Sequence, residues 1–128
     1  MANPNIVSVA TIAGVSLGHH LLVADTAVMT VTAEYIIKIN SILIANVDGT
    51  NAATCDVRVV KQNYTPLGIT NIDTSGTFYI AKTINVPADD VLVVVDTAFY
   101  LMALDVLQIR GSAASDLDAF ISYEVIID

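Results

Sequence analysis

The chain has no tryptophan, one cysteine, three prolines and only five basic residues among 128. The single thiol, Cys55, excludes an internal disulfide and with it a scaffold stapled by bridges. Thirteen acidic residues against five basic ones leave a net charge of −8. That excludes the basic face with which a protein displaces counterions from nucleic acid. Charged residues make up 14% of the chain, against about 25% in an average domain. Apolar runs such as Val91–Val95 and Ala98–Leu104 fall far short of the roughly 18 residues of a membrane span. The opening Met1-Ala2-Asn3-Pro4-Asn5 has neither a basic region nor a long apolar core. It does not read as a secretory signal, and synthesis in a cytoplasm is the expectation.

What is present is apolar residue, at 55%. Disorder needs the opposite composition. A chain of this length has room for one sizeable core. So much apolar surface on so few charges predicts that part of it is buried between subunits, as in a homo-oligomer.

The pattern is that of strands. Tyr35, Ile37 and Ile39 alternate with Ile36, Lys38 and Asn40, a period of two. Cys55, Val57 and Val59 alternate with Asp56 and Arg58, so Cys55 reads as a small buried hydrophobe. Between the two runs, Asp48-Gly49 offers residues that tolerate positive φ, and Tyr35 to Val60 is predicted to be a hairpin. Leu17–Ala24, Ala27–Ala33, Thr77–Val86, Leu92–Asp96, Asp105–Gly111 and Leu117–Asp128 read as further strands. Ala98–Leu104 reads as a strand or one helical turn. Pro87 ends a strand because it cannot donate to a ladder, and Asp89-Asp90 after it reads as a solvated turn. Leu92-Val93-Val94-Val95 is apolar on both sides, which predicts burial on both faces or a subunit contact. Close turns and no convincing helix give an all-β chain, an antiparallel β-sandwich or jelly roll of about eight strands.

Ile6 to Ile12 is rich in β-branched residues and is followed by Gly14 and Gly18. It reads either as an edge strand or as an arm that adds to a neighbour's sheet. The expected division is therefore an N-terminal arm or edge strand over residues 1–13 and a β-sandwich domain over 14–128. Lys61 to Gly76 is rich in turn residues and is expected to be a loop that carries contacts. Candidate interface residues are Ile6, Val7, Val9 and Ile12 on the arm, and Tyr64 and Ile69 on the loop. His19-His20 cannot grip one metal together, because neighbours on a strand point to opposite faces. No nucleophile elbow, metal spacing or phosphate loop is present, so no catalytic, cofactor or metal residue is assigned and an enzyme is not expected.

Three blocks carry a resemblance. The first is Lys38-Ile39-Asn40-Ser41-Ile42 with Ala45-Asn46-Val47-Asp48-Gly49-Thr50-Asn51-Ala52-Ala53. The second is Tyr79-Ile80-Ala81-Lys82-Thr83-Ile84 with Val86-Pro87-Ala88-Asp89. The third is Ser112-Ala113-Ala114-Ser115-Asp116-Leu117 with Ile121-Ser122-Tyr123-Glu124. In order and spacing, over roughly residues 35 to 128, they resemble small virion structural proteins of tailed bacteriophages of the capsid-decoration, or cement, kind, including those of cyanobacterial phages. The resemblance implies a non-enzymatic protein bound outside a phage head across contacts of the major capsid protein. A trimer would match three-fold positions of the shell. It equally admits a neck, tail or fibre component. A carbohydrate-binding sandwich is the further alternative, although the aromatics are scattered and tryptophan is absent.

Overall fold

A computed structural model describes residues 11–62 and 75–127. Nine strands are found there: β1 (Thr11–His20), β2 (Thr26–Thr30), β3 (Tyr35–Asn46), β4 (Ala53–Lys61), β5 (Gly76–Val86), β6 (Val91–Val95), β7 (Phe99–Leu101), β8 (Val106–Gly111) and β9 (Leu117–Ile127). They form two sheets with antiparallel pairing throughout. The first sheet has the order β1-β9-β3-β6, with the short β7 also on β3; the second has the order β2-β8-β4-β5. The protein is an antiparallel β-sandwich.

The alternation read from the sequence places the core. Tyr35, Ile37, Ile39, Ile42 and Ile44 of β3, with Leu117 and Ile121 of the neighbouring β9, share one core with Cys55, Val57 and Val59 of β4 and Leu107 and Ile109 of the neighbouring β8. β3 keeps its apolar side inward past Ile39 because a bulge at Asn40 shifts the register against β9. Burial pushes the Cys55 thiol up to about 11, as expected for a thiol serving as core filler.

The predicted hairpin does not form. β3 pairs with β9 on one side and with β6 and β7 on the other, so it has no free edge for β4. The connection crosses to the second sheet instead. Gly49 does not adopt positive φ; among the described glycines only Gly76 does. The Asp48 carboxylate accepts the N–H groups of Thr50 and Asn51 and bends the chain into an arch. The buried Asn46 side chain fastens the arch by donating to the carbonyls of Asn51 and Val86, at 2.9 and 3.0 Å.

The start of the chain also differs from the reading. Gly14 and Gly18 do not break a strand. β1 runs through both, in continuous register with β9 from Thr11↔Ile127 to His20↔Asp118. Thr11, Ile12 and Ala13 begin β1, an edge strand of the first sheet, which is the edge-strand alternative for those three residues. The strand expected at Leu17–Ala24 ends at His20. Ala98–Leu104 contains the strand alternative, as β7, with no helical turn in it.

Candidate interaction surfaces

Successive side chains of a strand point to opposite faces, so register fixes which residues meet outside the first sheet. One row runs Gly18, Phe120, Leu43, Val93 across β1, β9, β3 and β6; the next runs His20, Asp118, Ala45, Val91. Phe120, Val91 and Val93 are 52, 53 and 52% exposed. All residues of these two rows except Val93 line a shallow groove of about 480 Å³. A Cβ at position 18 would sit 3.7 Å from Phe120 Cδ1, an ordinary packing distance. Polar groups share this face: Ser16, Ser122 and Ser41 form the next row, and two ion pairs lie on it. His20 Nδ1 lies 2.6 Å from Asp118 Oδ1, and Lys38 lies 3.6 Å from Glu124. The β6 run, expected to be buried on both faces or to make a subunit contact, buries one face among the described residues. Val95 is in the core, Leu92 and Val94 pack against it, and Val91 and Val93 face outward, because nothing among the described residues covers that side.

The outer face of the second sheet is built differently. Asp56, on the outward side of β4, is nonetheless buried. Its carboxylate accepts the Thr83 N–H at 2.6 Å and Arg110 Nε at 2.7 Å. Burial alone would raise its pKa, but the Thr83 amide and the Arg110 guanidinium outweigh it and hold the group below the ordinary carboxylate value. Arg58 extends the network to Asp25 at 3.1 Å and to Gln108 at 2.7 Å. Thr83 reaches Asp56 because β5 carries an extra residue opposite it, with φ of +53° at Thr83.

A second apolar groove opens along the edge where β5 of one sheet faces β6 and β7 of the other. Phe78, Ile80, Phe99 and Tyr100 line its first part, of about 310 Å³. Ile80, Val94 and Phe99 line the adjoining part, of about 300 Å³. A further extra residue in β5, between the pairs Ala81↔Val57 and Tyr79↔Arg58, leaves Ile80 without a partner across the ladder and at the junction of the two parts.

Of the candidate interface residues, Ile12 is on the outward side of β1 and is exposed, beside Ile126 of β9. Ile6, Val7, Val9, Tyr64 and Ile69 lie outside the described residues. His19 and His20 point to opposite faces as expected. His19 Nε2 is buried without a hydrogen-bond partner among the described residues. No cluster of three metal-ligating side chains occurs among them either. Sequence reading missed Leu43, Val91, Val93 and Phe120 as one surface. Each alternates correctly within its own strand, and only the order of the strands brings them together.

Comparison with known proteins gives no family: no family profile matches the chain, and no curated protein does. Two solved structures are similar in chain path. One is from the Bacillus endospore appendages, described as a family of disulfide-linked pili, at 15% identity and a TM-score of 0.44, covering 91% of this chain and 87% of that one. The other is the infectious bursal disease virus VP2 subviral particle, at 12% identity and a TM-score of 0.45. It covers 91% of this chain, which spans only about a third of that one, 32%.

Proposed function

We propose that the protein is a structural component of a bacteriophage virion, a decoration protein that binds outside the head across contacts of the major capsid protein and stabilises them as a homotrimer. The observation that carries this reading is the apolar outer face of the first sheet. A sandwich with its own filled core still presents Phe120, Val91 and Val93 half-exposed in one patch, and such a patch marks an interaction surface. The sequence blocks that resemble decoration proteins fall on β3 and its arch, on β5, and on the turn into β9. With β7 set aside, the strand order β1-β9-β3-β6 over β2-β8-β4-β5 supports reading the sandwich as a jelly roll, an architecture that serves capsid and lectin domains alike. Fold does not by itself assign function. A protein clamped over capsid joints buries area there, and that raises the cost of opening each joint against packaged DNA.

The test is cryo-electron microscopy of purified particles of the encoding phage, with light scattering on the isolated protein. Density for the β-sandwich on the head exterior at three-fold positions, and a solution mass three times that of the chain, are expected. Density at the neck, tail or fibre instead, with none on the head, replaces this reading by its alternative. A protein absent from particles that retains a glycan column sends the assignment to carbohydrate binding.

A further inference from the structure

The groove between β5 and β6–β7 is mostly apolar, with Lys61, Asp96 and Thr97 also in its lining. Val59, Val94, Val95, Phe99 and Leu101 belong to the core or pack on it, and Phe78, Ile80 and Tyr100 stand half-exposed above them with no cover among the described residues. We propose that it is the acceptor for residues 6–10 of a second copy of this chain, so that copies join head to tail. This rests on the homo-oligomeric part of the reading above and supplies its joint.

Length matches first. The groove runs from Leu101, opposite Ile37 of β3, to Val95, opposite Ile42. Five strand residues cover about 17 Å, and so does the segment Ile6-Val7-Ser8-Val9-Ala10 when extended. In that form Val7 and Val9 share one side, directed at Phe78, Ile80 and Phe99. The side with Ile6, Ser8 and Ala10 faces away.

The donor must come from another copy. β1 and β6 are the two opposite edges of their sheet, with β9 and β3 between them. Three strand spacings put β1 about 14 Å from the groove. Val9 is two residues from Thr11, which is held in β1 opposite Ile127. Two residues reach about 7 Å. Val9 therefore cannot enter its own groove while β1 is paired.

The occupant must also be short. Two extra residues in β5, near Ile80 and Thr83, break its free edge into brief stretches. Such bulges keep two long edges from pairing with each other. They leave room for a few residues whose side chains fill a groove, the usual mode of strand addition. Donor and acceptor then sit at opposite edges of the sandwich. Each copy gives once and receives once, a heterologous joint that closes as a ring or runs on as a filament.

Two variants of the full chain test this by light scattering. V7D/V9D has a spoiled donor and an intact groove; I80R has the reverse. Each is expected to lose assembly and run at the mass of one chain, with the far-ultraviolet circular dichroism of the wild type, since Ile80 is 40% exposed and contributes little to the core. Mixed in equal amounts, they are expected to form a species of two chains and no larger, because only one joint can be made. A monomeric wild type, a variant that keeps the wild-type mass, or a mixture that stays monomeric overturns the proposal. Particle binding is read separately. Wild-type assembly through this joint without binding to phage heads defeats only the decoration reading. Head binding by an I80R protein that still assembles defeats only the joint.

Discussion

The two outer faces of this sandwich stand over the same core and are finished in opposite ways. Outside the second sheet, Asp56, Arg110, Arg58, Asp25 and Gln108 satisfy one another, and the Thr83 amide is drawn in with them. Outside the first sheet, Gly18, Phe120, Leu43, Val91 and Val93 form an apolar patch, bounded by a serine row and by the pairs His20–Asp118 and Lys38–Glu124. The polar face needs nothing beyond its own strands. The apolar face gains only when something covers it. Surface composition thus separates a side that stabilises the subunit from a side available for assembly.

Four measurements would break or sharpen that contrast. The largest effect belongs to the wall behind both faces. Ile42→Ala removes a fully buried side chain and is expected to cost about 3 kcal/mol, read from the denaturant midpoint. Asp56→Ala comes next, at about 2 kcal/mol, because the Thr83 N–H loses its acceptor in a buried site. A cost near zero would show that the polar network is decoration on a stable sheet. Acid gives the same contrast without mutation. The folded pKa of Asp56 is depressed, so its contribution is complete above the ordinary aspartate value, near 3.9, and is lost as pH falls below it. Asp56→Asn should flatten that part of the acid limb, measured as thermal midpoint against pH. The smallest effect on stability is expected from Phe120→Ser, about 0.5 kcal/mol for a half-exposed side chain. Its effect should fall on assembly or particle binding instead. A Phe120→Ser protein that is strongly destabilised yet assembles normally would make the apolar face part of the subunit's own fold.

Much of the fold was legible in the sequence, and the limits have a physical cause. Alternation is local, so the inward faces of β3, β4 and β9 could be read directly from Tyr35, Ile37 and Ile39, from Cys55, Val57 and Val59, and from Leu117, Ala119 and Ile121. Pairing is not local. Nothing in Tyr35–Val60 says that β3 already has neighbours on both sides, and so the arch at Asp48 reads as a hairpin turn. Ile6–Ile12 and Leu17–Ala24 read as separate strands because Gly14 lies between them and glycine weakens an isolated strand, whereas here β9 holds Thr11–His20 in one register. Asp56 looks like a solvated position in its own strand. It is buried because Arg110 and Thr83 arrive from β8 and β5. The run Leu92–Val95 shows that apolar side chains on both faces of a strand do not guarantee cover on both. The groove lined by Ile80 depends on two bulges that leave no mark in the composition.

One feature of the first sheet bears on how the protein comes to exist in time. Its central partner for both β1 and β3 is β9, the last strand described. On the ribosome, where synthesis adds about 5–20 residues each second, β1 and β3 emerge long before the strand that joins them. Until Leu117–Ile127 appears, they wait for seconds with open edges and bare isoleucines. The sheet then closes in a single late event, made of contacts between residues far apart in sequence, which are slow to form. Early chain termination would therefore produce a fragment missing the middle of a sheet, and quality control in the cell has a clear moment at which to tell a finished subunit from an unfinished one.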